Sequence, residues 1–408
     1  MTKPGSGGSG IPNKSTVRGV WPRGLPRLLG YCMAVGPAAT DMYLPAFPTV
    51  EAAFGSGTGT AQYTLAAWFA GLAVGQIMQG TLSDRFGRRW PLIGGFVVFA
   101  VAMAGGALAQ SMATLAVLRF VAALGASSGM VISRAVVRDL TDGQEGAILM
   151  SRLVLIMGLA PIVAPSIGAA ILMVADWRFI FWFQAAYGVS CALLVWRLLP
   201  ETLPEERRFV SGFGETLQRY GEILRDPVFR TYAIIASAGS FSLFAWLGGS
   251  SPVFIQGFGL SPAGFGLIFG LCACGVIAGS HINSRLLRHF GLFTVIRGIS
   301  RLALAASLVM LLLALAGVQE LWLIVVPLFV VLFCQGFSNG NTAIAALSRH
   351  ASHAGSAAAL LGVFQYLMGA VSGLLIGQLT DGSPRGMALL MCVGALCAVL
   401  ADFARPER

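Results

Sequence analysis

The chain has 408 residues, of which 56% are hydrophobic and 11% charged, with a formal net charge of +10. A soluble domain carries roughly 25% charged residues, so this sequence lacks the charge to cover a water-exposed surface of its size and reads as an integral membrane protein. Its cysteines (Cys32, Cys191, Cys272, Cys274, Cys334, Cys392 and Cys397) all lie in apolar stretches, which argues against a disulfide framework.

Residues 1–24 are polar, glycine-rich and basic, and read as a disordered cytoplasmic lead without a cleavable signal. Runs of about 20 apolar residues, enough to span a bilayer, then fall at 25–47, 60–82, 91–110, 114–136, 148–174 and 178–199. A charged linker occupies 200–228. Six more runs follow at 229–255, 264–287, 293–316, 321–347, 355–380 and 385–404, before a short tail, 405–408. The expected fold is therefore an all-α membrane protein with 12 transmembrane helices, divided into an N-terminal bundle (25–199) and a C-terminal bundle (229–404).

Arginine placement orients the spans. Arg85, Arg88, Arg89, Arg134, Arg138, Arg207, Arg208, Arg285, Arg288 and Arg349 fall on one side together with the basic lead, while the other side has only Arg178 and Arg385. By the positive-inside rule both termini and the linker are cytoplasmic. The halves also resemble each other: "GQIMQGTLSDRFGRR" (75–89) aligns with "GVIAGSHINSRLLRH" (275–289), matching Gly75 to Gly275, Arg85 to Arg285 and Arg88 to Arg288. Such a repeat is what transporters built from two rocking bundles show.

A charge near the bilayer centre costs at least ~2.5–3.5 kcal/mol, so those that occur there need a reason. Asp41 stands six residues before the outer end of the first span, and Arg119 five residues into the fourth. At 1.5 Å per residue both sit roughly 8–9 Å below the outer hydrocarbon edge. Two readings follow: a static ion pair joining the two helices, or a proton carrier, Asp41, modulated by Arg119. In the second, desolvation favours the neutral acid and a nearby guanidinium favours the carboxylate, so opening the cavity to one side and then the other changes the balance.

At the cytoplasmic face "GTLSDRFGRRW" gathers Gly80, Asp84, Arg85, Gly87, Arg88 and Arg89 in one tight connection. It reads as a gate latch, with Arg138 as a further partner for Asp84. Pro161, Pro165 and Gly168 in the fifth span bend that helix and let it pack closely. Tyr43, Trp68, Phe69 and Phe244, with Asn339 and Gln365, are candidates for a substrate cavity, although aromatic groups more often pack and amides more often bridge helices. The sequence has no Walker A loop, HExxH or GxSxG motif and only four histidines. This argues against an enzyme, a metal site or a bound cofactor, and the arginines are spread over loops rather than forming a nucleic-acid patch.

These segments carry a family resemblance. "GTLSDRFGRR" resembles the loop motif of the major facilitator superfamily. "TDMYLPAFP", "RFVAALGASSGMVISRAVVRDL" and "APIVAPSIGA" are similar to the first, fourth and fifth spans of its bicyclomycin-resistance (Bcr/CflA) drug:proton antiporters. Ala122 and Ala123 depart from the Gln or His and Gly usual in the fourth-span motif, and Ala169 from a glycine often found in the fifth. The resemblance implies two pseudo-symmetric six-helix bundles around a central cavity and a monomer in the bacterial inner membrane. It implies export of small hydrophobic antibiotics of the chloramphenicol or bicyclomycin kind, energised by the proton gradient and exchanged for protons by alternating access. It gives Asp41 and Arg119 the proton-coupling roles, Asp84 with the neighbouring arginines and Arg138 the gate, and Pro161, Pro165 and Gly168 the hinge. The alternative is a major facilitator that carries an endogenous metabolite.

Overall fold

The computed structural model describes residues 24–141, 143–208, 213–350 and 354–405, so the N-terminal lead and the end of the tail lie outside the described residues. The first expected span is not one helix. It is built from α1 (Leu25–Met33), α2 (Val35–Asp41) and a 3-10 turn (Leu44–Ala46), and α3 (Phe47–Ala53) follows past its end. The ladder continues across the first joint, where Ala34 N donates to Gly30 O and Ala38 N to Ala34 O. Pro37 and Pro45 have no N–H to donate, so the segment steps rather than runs straight.

Eleven other helices, among the described residues, are long and apolar enough to cross a membrane. They are α4 (Ala61–Phe86), α5 (Arg89–Ala107), α6 (Met112–Leu140), α7 (Gly143–Val174), α8 (Arg178–Leu198), α10 (Pro227–Ser251, continued by a π-helical turn, Pro252–Gly257), α11 (Pro262–Phe290), α12 (Leu292–Leu315), α13 (Leu321–Leu347), α14 (Ala354–Leu379) and α15 (Arg385–Phe403). Side-chain caps begin several of them: Ser111 Oγ accepts from Thr114 N at 3.1 Å, and Asp226 from Val228 N at 3.0 Å. The linker, expected as a polar stretch, also holds a helix, α9 (Phe213–Arg225). Its Ile223 is buried in a cluster with Phe229 and Tyr232 at the start of α10.

The repeat seen in the sequence has a packing counterpart. In the first half a Cβ at Gly71 would lie 2.4 Å from Phe120 O, and one at Gly75 2.2 Å from Ser127 Oγ, so α4 approaches α6 at backbone distance. In the second half Gly279 would meet Phe333 O at 2.1 Å and Gly275 the Phe329 ring at 3.1 Å, bringing α11 onto α13. Small residues at such crossings let van der Waals packing hold helices together in lipid, where no hydrophobic drive acts between them. The halves join through α4 with α14 and α7 with α11. Their contacts include the face poor in arginine: Gln62 Nε2 donates to Gly248 O at 3.0 Å, and a Cβ on Gly59 would sit 2.1 Å from Gly377 O.

Candidate functional site

Asp41 ends α2 and is 3% exposed. It makes no hydrogen bond or ion pair among the described residues, so the expected contact with Arg119 is not formed in this arrangement. Arg119 instead projects from α6 beneath the first span, 1% exposed. Its Nη1 donates to Ala39 O at 3.3 Å, and its guanidinium lies 4.5 Å from the centre of the Tyr43 ring and 4.9 Å from that of Trp68. Ala39 and Tyr43 each stand two residues from Asp41, on either side of it. Arg119 is thus clamped against the backbone and ring that flank the acid, through a carbonyl and two cation–π contacts. Among the described residues its Nε and Nη2 have no hydrogen-bond partner. A buried cation keeping unused donors is costly, and those donors can receive an anionic group when the helices move.

Tyr43 and Trp68 are therefore buried with Arg119 rather than lining an open cavity. The Tyr43 hydroxyl accepts from Thr64 Oγ1 at 3.2 Å, and its ring packs edge-on against Phe47 and Phe181. Phe69 and Phe244 meet across the two halves with ring centroids 4.0 Å apart, and Tyr366 lies near both. They form a closed aromatic plug. Asn339 is exposed and accepts from Gln335 Nε2 at 3.4 Å, while Gln365 is half-buried. Neither is brought to the Asp41 cluster by a hydrogen bond. Asn283 and Asn341 exchange two hydrogen bonds, 2.8 and 2.9 Å, that tie α11 to α13. A cavity of about 440 Å³ opens elsewhere, between α10, α14 and α15, walled by Phe229, Phe241, Phe364 and Met368.

The fifth-span motif reaches the residue after the acid. α7 continues through Pro161 and Pro165 without a break. A Cβ on Gly168 would fall 2.1 Å from Met42 O and 3.0 Å from Met42 C, the residue after Asp41. Both are backbone atoms and cannot swing aside. Gly168→Ala is therefore expected to push α7 off the first span, at a cost of about 1–3 kcal/mol. Thermal unfolding of the purified protein in detergent measures this; an unchanged midpoint would show that the close approach is not maintained in the membrane protein.

The arginine-rich face is built around Arg88, 4% exposed. Its Nη1 pairs with Asp84 at 2.5 Å and Ser83 Oγ at 2.9 Å, and its Nε with Asp139 at 2.7 Å. Arg138 does not take the role expected for it: it makes no ion pair among the described residues, and its guanidinium lies by Gly355 at the start of α14. Gly87 turns the chain at φ +87, a conformation that disfavours side chains. A Cβ there would also strike Glu201, 2.4 Å away. Gly80 has open space around it, and Arg85 stacks over Phe86. Arg89 donates to Trp196 O.

Sequence reasoning missed Asp139, Ser83 and Glu201. Glu201 opens the linker and accepts from the N–H groups of Arg88 (2.8 Å) and Arg89 (3.2 Å) at the start of α5, and from Thr202 and Leu203, both at 3.0 Å. Burial pushes this carboxyl up, but the backbone donors of Arg88, Leu203, Arg89 and Thr202 outweigh it and hold it below its usual 4.5. A lowered value means the folded chain binds this proton less readily than the unfolded one. The stabilisation is fully present above the ordinary glutamate value and is lost as pH falls through the lowered one. Glu201→Gln is expected to remove that acid-side loss while lowering stability at neutral pH, read from melting temperature against pH. An acid limb of unchanged steepness would contradict it.

The comparisons with known proteins bear on the family and the fold. The family model described as Major Facilitator Superfamily matches residues 29–373. The chain belongs to the major facilitator superfamily. It is 33% identical to an uncharacterized MFS-type transporter, YdgK, of Bacillus subtilis, over 92% of this chain and 94% of that protein. It is 27% identical to a bicyclomycin resistance protein homolog of Haemophilus influenzae, again over 92% and 94%. Among solved structures, a bacterial homolog of the human lysosomal transporter Spinster superposes with a TM-score of 0.71 at 14% identity, covering 93% of this chain and 95% of the other. This major facilitator is therefore a multi-pass membrane transporter of small molecules, not an enzyme, and its stepped first span, Gly-lined α4–α6 and α11–α13 crossings and Arg88 cluster are parts of that fold.

Proposed function

We propose that this major facilitator exports small hydrophobic antibiotics of the bicyclomycin or chloramphenicol kind from the cytoplasm in exchange for protons, as a Bcr/CflA-type antiporter of the bacterial inner membrane. The observation that carries the reading is Asp41: an acid buried within the first span, without an ion pair among the described residues, beside an arginine that keeps unused donors. A structural ion pair would hold both groups in one charge state. Asp41 is free to gain and lose a proton, and Arg119 is placed to stabilise it when charged. The similarity to a bicyclomycin resistance protein homolog supports the substrate class, and the aromatic groups Phe69, Phe244 and Tyr366 supply surface for a flat apolar molecule once the plug parts.

On this reading the arginine-rich face is cytoplasmic, with both termini on that side. The seam joining Gly59 to Gly377 and Gln62 to Gly248 then lies at the outer face, and the arrangement has its outer gate closed. The test is drug-driven loss of an imposed proton gradient in inverted vesicles, followed with a fluorescent pH reporter while bicyclomycin-type, chloramphenicol-type and cationic dye compounds are added. Dissipation by one of them is the expected result. Silence toward all three classes, with response to a metabolite, would overturn the drug assignment.

A further inference from the structure

A buried acid stands apart from the Asp41 site and the Arg88 cluster. Glu51 stands on α3, past the end of the first span, and is only 4% exposed. Its Oε1 accepts from Gly59 N at 2.8 Å and from Ala61 N at 3.1 Å, so the turn before α4 is folded back onto the carboxyl. Both of these bonds go to one oxygen. The Gln256 side chain, on the π-helical turn of the other half, also reaches the carboxyl. The residue Glu51 holds is the one that touches the second half: Gly59, at φ +96, is the position where a Cβ would meet Gly377 O, and Gln62 bonds Gly248 O three residues on. Gly59 and Ala61 thus cover the acid from its own half and Gln256 from the other.

We propose that Glu51 is a proton-binding site of the outer gate, taking a proton from the external water onto Oε2 as the two halves close over it. With the gate open, Glu51 faces water and is ionised at neutral pH. With the gate closed it makes no ion pair among the described residues. α4 brings Tyr63 at this end, Tyr43 lies ahead of the 3-10 turn and feels the Glu51 charge, and the π-helical turn brings the neutral Gln256. None of these is a cation. The protonated acid fits the closed seam with one local change: Oε1 keeps accepting from Gly59 and Ala61, and the Gln256 amide, which donates to the carboxylate, turns over so that its carbonyl accepts from Oε2–H. Burial raises the proton affinity of Glu51, and the hydrogen bonds from Ala61, Gly59, Gln256 and Thr60 offset only part of that rise.

The sign follows from linkage. The closed form binds the proton more tightly than the open form, so external acid drives closure. This is the direction an exporter exchanging drug for protons needs, because the proton-loaded carrier must turn inward. The proposal rests on the alternating-access reading and is independent of which solute is carried.

The test uses the full chain in lipid nanodiscs, with native cysteines replaced and spin labels on Gly57→Cys and Gln319→Cys, one on the exposed outer loop of each half. Inter-label distances are recorded as pH is lowered from 8 to 5, in the Asp41→Asn background so that Asp41 contributes nothing. The short-distance population is expected to grow as pH falls. Glu51→Gln, whose amide can repeat both accepted bonds and donate to Gln256, is expected to hold the short distance at every pH. A pH response that survives in Glu51→Gln, or no response with Glu51 intact, overturns the proposal. Because no drug is added, the result stands or falls separately from the vesicle assay.

Discussion

Asp41→Asn is expected to reduce drug-driven proton exchange to the level of vesicles lacking the protein, while the protein inserts and folds as before. Asparagine has the shape of aspartate but cannot carry the proton away or develop a charge. Asp41 contributes no ion pair to the described structure, so little stability depends on its charge. Removing that charge relieves a burial that costs at least ~2.5–3.5 kcal/mol near a bilayer centre. A melting temperature equal to or above that of the wild type, together with lost exchange, is the signature of an acid kept for its titration. Exchange that persists in Asp41→Asn would remove Asp41 from the coupling path, and a large drop in stability would show it to be a structural partner instead.

On the proposed reading Arg119 would serve that acid without being bonded to it. Its carbonyl partner, Ala39, and its aromatic partner, Tyr43, flank Asp41 in the chain. A shift of the stepped first span carries both anchors and the acid together. α7 would share in such a shift, since at Gly168 it bears on Met42 at backbone distance. On the proposed reading a rocking motion of α7 would act on the residue next to the acid, where the donors missing at Pro37 and Pro45 loosen the span.

The long spans were legible because each needs about 20 apolar residues, and hydropathy records that requirement directly. The steps in the first span were not, since Pro37 and Pro45 are themselves apolar and disappear into the run. α9 was hidden for the opposite reason: it is short, and the linker's charge masks the few apolar residues, Ile223 among them, that seat it. Depth along a helix was readable, which placed Asp41 and Arg119 at one level. Rotation about the helix was not, and it is rotation that turns the guanidinium toward Ala39 and two rings rather than toward the acid. At the arginine-rich face the Asp84–Arg88 pair has i,i+4 spacing and could be read from sequence. Asp139 and Glu201 reach the same turn from the ends of α6 and α8, contacts that no local spacing reveals.

Arg88→Met is expected to be the most destabilising single change at the arginine-rich face. It preserves much of the side-chain volume and helix propensity while removing the charge. Asp139, 13% exposed, then loses its ion-pair partner, and Ser83 loses a donor. Stranding one member of a buried pair costs about 3–5 kcal/mol; Asp84 adds little because its side chain is 51% exposed and water takes over its solvation. Removing the stranded acid should restore part of the loss, so Arg88→Met with Asp139→Asn is expected to be more stable than Arg88→Met alone. Arg138→Met, by contrast, should shift stability only slightly, since Arg138 is exposed and holds no acid among the described residues. Thermal unfolding of the three variants in one detergent separates these outcomes. If Arg138→Met proves as damaging as Arg88→Met, the acid at this gate is shared between two arginines, and the Arg88–Asp139 contact is not the one that holds the fourth helix to the α4–α5 turn.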